Sequence, residues 1–158
     1  MEIKKNEKLL IVRYSDLYEK DSMEKHIEVL KKIKYVYFGK FGSKPSEKNI
    51  KQIMKENSPK IILKSSKSVY ICNLDSIVFD KPNKGIPAYY DEKIFNRNMK
   101  LSAYFKLTSI EKVDMKVIGK FTVVSSLSNL ATALHKSMTS MMLIKCNEDI
   151  RTEDFINE

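Results

Sequence analysis

Apolar residues along this chain fall into short runs and alternations separated by polar, lysine-rich segments, and the period of each run predicts its element. Lys8 to Arg13, KLLIVR, sets four apolar residues in a row between polar flanks and reads as a short buried strand. YSDLYEKD follows as a polar turn. Asp21 with Glu24 three residues later resembles a capping box, and Met23, Ile27, Leu30 and Ile33 recur at helical spacing. A first helix is therefore expected from Ser22 to Lys32. Tyr35 to Gly42, YVYFGKFG, has the aromatic and β-branched content of a strand, and Gly39 marks a bulge or a close backbone approach.

Ser46 is a good N-cap for a second helix with an apolar stripe of Ile50, Ile53 and Met54, which Asn57-Ser58-Pro59 stops. KIILK and SVYICNLDSIVF follow, the latter as one long bent strand or as two strands about Asn73 to Asp75. Lys81 to Ile94 holds two prolines and a glycine, which excludes a regular strand or a full helix and predicts a long functional loop. From Leu101 the alternation Leu101, Ala103, Phe105, Leu107 turns one face inward and leaves Ser102, Tyr104, Lys106 and Thr108 outward. Val117 to Val124 reads as the next strand. Leu127, Leu130, Ala131 and Leu134 mark a third short helix capped by Ser126 or Ser128, and SMMLIKC is the closing strand. With about seven strands, about three short helices and no regular βαβ repeat, the expected class is α+β, with a curled mixed sheet or a small β-barrel.

Length and composition narrow the class. The 158 residues, 42% hydrophobic and 31% charged, suit a single domain over 1–158 and neither a disordered tail nor a membrane protein, with 1–7 and 147–158 expected to be flexible ends. MEIKKNEKLL lacks the apolar core and cleavage site of a secretory signal, so a cytoplasmic location is expected. The formal net charge is +9, and the stretch from Lys31 to Lys67 alone carries eleven lysines against Glu47 and Glu56, a local excess as large as the whole. The C-terminal NEDIRTEDFINE is acidic. A localised basic field concentrates polyanions, of which nucleic acid is the commonest in a cytosol. The plain alternative is a lysine-rich surface of the kind an AT-rich genome encodes.

Familiar catalytic signatures are missing. Four glycines supply neither GxGxxG nor GxxxxGK[ST]. Cys72 and Cys146, in strand-like contexts, read as core thiols, and with His26 and His135 they show no metal spacing, so no metal and no cofactor is expected. His26 and His135 fall on helices with no nucleophile beside them in sequence, and read as core-edge or surface residues. Asp75, Asp80 and Asp91 would be the acids of a small metal-dependent nuclease, although their separations fit no nuclease pattern. Non-enzymatic binding is the expectation.

Two threads point to that binding. Lys48, Lys51 and Lys55 align opposite the apolar stripe of the second helix, and with Lys40 and Lys44 they are candidate phosphate contacts. Tyr35, Tyr37, Phe38 and Phe41 interleave with Lys34, Lys40 and Lys44 around a glycine, while Tyr89 and Tyr90 follow Pro87. Bases need π faces, so Tyr37, Phe38, Tyr89 and Tyr90 are the candidate base pocket, with at least two of the chain's seven such aromatics expected to be core. Ser125 and Ser126 are candidate donors to a base edge, helix capping being the competing role of Ser126.

YVYFGKFG, IPAYY, AYFKLTSIEKV and SSLSNLATALHKSMTSMMLI together resemble the PUA-like superfold, in particular bacterial domains of the EVE and ASCH type, over roughly Tyr35 to Cys146. The resemblance implies a small mixed β-barrel with helices between strands that binds RNA or DNA, often a modified base in an aromatic pocket, sometimes within anti-phage restriction systems. Such domains usually place tryptophan in the pocket, whereas this chain has none. The competing reading is a regulatory or phage or defence accessory protein whose basic face meets an acidic protein surface.

Overall fold

The computed structural model describes residues 1–156. In chain order the strands are β1 (Glu2–Ile3), β2 (Lys8–Arg13), β3 (Val36–Lys40), β4 (Lys60–Lys64), β5 (Val69–Val78), β6 (Ala103–Val113), β7 (Phe121–Val123), β8 (Met141–Cys146) and β9 (Ile150–Arg151). The α-helices are α1 (Ser22–Ile33), α2 (Glu47–Met54), α3 (Tyr89–Lys93) and α4 (Leu130–Lys136), with 3-10 turns over Phe95–Arg97, Met115–Lys120 and Thr152–Phe155. The class is α+β, with more helical elements among the described residues than the three expected.

Seven strands form one mixed sheet in the order β3-β6-β5-β4-β2-β8-β7. At its centre β2 runs parallel to β4 and antiparallel to β8. The unbroken apolar run of β2 has a physical reason, because both faces of the strand are covered. Leu9 and Ile11 enter one core, walled by α4, β7 and the Met115–Lys120 turn, while Leu10 and Val12 enter the other, walled by α1 and α2. Ile62 and its neighbours Ile61 and Leu63 divide between the two cores in the same way. A buried ion pair, Lys60 Nζ to Glu7 Oε2 at 2.8 Å, pins the start of β4 to the chain entering β2.

Several local expectations hold to within a residue or two. Ser46 Oγ accepts the Asn49 N–H at 3.1 Å and caps α2. The SVYICNLDSIVF segment is one long strand, bent by register shifts on either side of Leu74. A Cβ on Gly39 would stand 2.3 Å from Leu101 Cδ1, so this glycine marks a close approach rather than a bulge, and β3 pairs with β6 without a register break.

Other expectations are corrected. Asp21 makes no side-chain cap and sits at φ 55°; Asp16 instead accepts from Ser22 N–H and Oγ–H. The first half of Val117 to Val124 belongs to a 3-10 turn, leaving a three-residue β7. The cap of α4 is Asn129, whose Oδ1 accepts from Ala131 N–H, and neither Ser126 nor Ser128 serves. Tyr104 is buried, because α3, a helix inside the expected loop, folds back over that face of β6. The expected flexible ends pair with one another through β1 and β9. Residues 157 and 158 lie outside the described residues.

The sheet curls but does not close. No ladder joins the edge strand β3 to β2, which stands four places along, yet the two strands face each other. The Tyr14 and Phe38 rings meet edge-on across the gap at 6.0 Å. Lys40 Nζ reaches Ser140 Oγ at 3.2 Å, and Ser140 O accepts the Arg13 N–H. The barrel alternative is thus corrected to a curled sheet with an open seam.

Candidate functional site

A cavity of about 480 Å³ fills that seam. Six aromatic rings line it: Tyr14, Tyr18, Phe38, Phe41, Tyr89 and Tyr90. They come in pairs, Tyr14 with Phe38, Tyr18 with Phe41 at 5.0 Å, and Tyr89 with Tyr90 at 4.8 Å. Leu17 and Met138, 78% and 91% exposed, stand at its mouth.

The floor is held by a chain of neutral hydrogen bonds through the fully buried His26 of α1. Ser22 O can only accept, so His26 Nδ1 carries the proton that binds it at 2.7 Å. Burial lowers the His26 pKa from 6.5 to about 4, so the ring is neutral and Nε2 accepts the Tyr90 hydroxyl at 2.7 Å. The Tyr90 oxygen in turn accepts the Gly39 N–H at 3.0 Å. The ring that shapes the cavity floor is thereby tied to both α1 and β3. Burial also raises the pKa of Tyr14 to about 12 and pushes those of Tyr89 and Tyr90 well up, so all three phenols keep their protons.

Lys40 is the polar feature of the wall. It is only 2% exposed, and its Nζ donates to Phe41 O at 2.8 Å and to Ser140 Oγ. No carboxylate pairs with it among the described residues. Burial lowers its pKa. An ammonium has three donors, so one remains for a ligand. The other ionisable lining groups are Arg13, which donates to Leu134 O, and Glu19.

The structure brings together three of the four expected pocket aromatics, Phe38, Tyr89 and Tyr90. Tyr37 points from the opposite face of β3 and rests against Gly85, whose φ of +87° and contact with Tyr35 leave no room for a Cβ. Ser125 and Ser126 line a separate cavity with Lys48. Lys40, a candidate phosphate contact, is interior. Lys44, Lys48, Lys51 and Lys55 are exposed, Lys44 lying over the Phe79 ring. Asp75 pairs with Lys106 and Asp91 with Lys81, Asp80 is exposed, and no three of His, Cys, Asp and Glu gather to hold a metal ion among the described residues. Both cysteines are buried. Sequence reasoning missed Tyr14 and Tyr18; the available signal was two tyrosines four residues apart in an otherwise polar turn after a buried strand.

No helix among the described residues is long and apolar enough to cross a membrane. A family model described as Pua-like matches residues 10–150. The comparisons with curated proteins and with solved structures found no match.

Proposed function

The chain belongs to the Pua-like family, and from that premise we propose that it is a non-enzymatic nucleic-acid-binding module that takes an unstacked base into the seam cavity. The observation that carries this reading is a cavity walled by aromatic rings with one buried, carboxylate-free ammonium, Lys40. Unstacking a base costs a few kcal/mol, and each aromatic stack returns about 1 to 3 kcal/mol, so two ring pairs offset it. The spare Lys40 donor suits a carbonyl on the base edge.

Binding without turnover is supported by what the ionisable groups do. His26 has both ring nitrogens engaged, and Lys40, the amine beside the Ser140 hydroxyl, donates to that oxygen as an ammonium instead of accepting from it as a base. A cavity of about 480 Å³ lies in the range of small-molecule sites and has room for a base with a substituent. We therefore extend the proposal to a modified base, the feature by which an anti-phage restriction system would tell one nucleic acid from another.

The test is fluorescence anisotropy with single-stranded DNA and RNA oligonucleotides carrying modified and unmodified bases. Tyr18→Ala and Phe41→Ala, at two half-buried rings, are expected to reduce affinity for the preferred base by about 5- to 150-fold, the value of one stack. Salt-dependent binding of other oligonucleotides should persist, with circular dichroism confirming the fold. Folded variants that keep full selectivity, or a wild type with none across the panel, overturn the base pocket. Absence of binding even at low salt would favour an acidic protein as the partner.

A further inference from the structure

The second cavity, of about 540 Å³, lies between α2, the turn after β7, the end of α4 and the segment from Ser137 to Met141. Lys48 and Lys136 stand on its wall with the hydroxyls of Ser125, Ser126, Ser137 and Thr139, and no carboxylate among the described residues lines it. Neither lysine ammonium has a hydrogen-bond or ion-pair partner among the described residues, and both side chains are exposed. The Ser137 and Thr139 hydroxyls bond each other at 2.6 Å. One proton of that pair is left to donate outward. Cations and hydroxyl donors without acids make a site for phosphate oxygens.

Its position relative to the aromatic cavity gives it a role. Along the connecting segment, Met138 and Ser140 line the aromatic cavity, whereas Ser137, Thr139 and Met141 line the second one. The two cavities are therefore the two sides of a partition one chain thick. At its Lys48 end, the exposed stripe of Lys48 and Lys51 on α2 and Lys55 at its C-cap runs out from the second cavity.

We propose that the second cavity binds the phosphodiester backbone flanking the base held in the aromatic cavity, so that the ligand is a single strand draped over the Ser137 to Met141 partition. The inference rests on the base-binding reading above and adds the path of the strand. Lys48 and Lys136 contact phosphates there, with the serine and threonine hydroxyls as neutral donors.

The test is the salt dependence of binding of a single-stranded oligonucleotide between 50 and 200 mM, compared for wild type, Lys48→Gln/Lys136→Gln and the control Lys112→Gln/Lys116→Gln. Each phosphate neutralised on a single strand contributes about 0.7 to the slope of log affinity against log salt. The Lys48/Lys136 double variant should thus be shallower by about 1.4, with the preference between bases unchanged, while the control keeps the wild-type slope. An unchanged slope in a protein that still binds through Tyr18 and Phe41 overturns this inference and leaves the base pocket standing. An equal loss on a fully paired duplex also overturns it, because the lysines would then act as general surface charge. Failure of wild type to bind any oligonucleotide would instead overturn the base-binding reading itself.

Discussion

Replacing Tyr90 by phenylalanine removes one oxygen, keeps the ring and leaves no void, which isolates the hydrogen bonds at the cavity floor from its shape. The lost hydroxyl donates to His26 Nε2 and accepts from Gly39 N–H, and all three residues are buried. His26 cannot compensate by changing tautomer, since its Nδ1 proton is committed to Ser22 O. Two buried polar groups are therefore orphaned together, at about 1 to 3 kcal/mol each. Partial relaxation brings the expected loss of stability to about 3 kcal/mol. Urea unfolding followed by circular dichroism measures it, with an unchanged m-value showing that the denatured ensemble is the same. Tyr89→Phe is the internal control: its ring is half-buried beside Tyr90, its hydroxyl takes no part in the His26 and Gly39 bonds, and the expected loss is under about 1 kcal/mol. A Tyr90→Phe unfolding free energy within about 0.5 kcal/mol of wild type, or equal losses in the two variants, would refute the argument that this hydroxyl ties α1 to β3.

The same histidine makes stability depend on acid. Its folded pKa of about 4 lies below the ordinary 6.5, so between these values the unfolded chain binds the extra proton. The His26 contribution is complete above about pH 6.5 and is lost as the pH falls to about 4, amounting to about 3 kcal/mol. Denaturant midpoints measured against pH should show this slope, and His26→Gln should flatten it; a wild-type slope in the variant would assign the acid sensitivity elsewhere. The buried pair of Lys60 and Glu7 gives a further check: Glu7→Gln leaves the buried Lys60 ammonium without its counter-charge, bonded only to neutral oxygens such as Ser58 O, and is expected to cost about 3 to 5 kcal/mol, while Lys60→Met with Glu7→Leu should recover most of it. Thermal melts of the single and double variants decide, and a double variant as unstable as the single one would show that the pair is not what Glu7→Gln disrupts.

The site was partly legible in the sequence for reasons that separate local from long-range physics. Phe38, Tyr89 and Tyr90 stood out because aromatic residues beside a glycine or after a proline interrupt the ordinary strand and helix patterns. Tyr37 was put in their company because a strand pattern shows which residues alternate without showing which face a distant element will cover. Lys40 illustrates the limit more sharply. Within YVYFGKFG it is one lysine among many, and only the approach of Ser140, a hundred residues away, encloses it.

What the sequence determined by itself is what a few neighbouring residues decide: the doubly buried β2 from its apolar run, α1 and α2 from their periodic stripes, the Ser46 cap from its own hydroxyl, and the α+β class from the irregular order of elements. These follow from side-chain periods and capping chemistry that act over one or two turns. Tertiary structure alone decided that the sheet curls without closing, that α3 buries Tyr104, that Tyr14 and Tyr18 from a polar turn join Phe38 and Phe41 around one cavity, and that Ser125 and Ser126 belong to another. Each of these depends on which surfaces meet after the chain has returned from dozens of residues away, and no local period encodes that meeting.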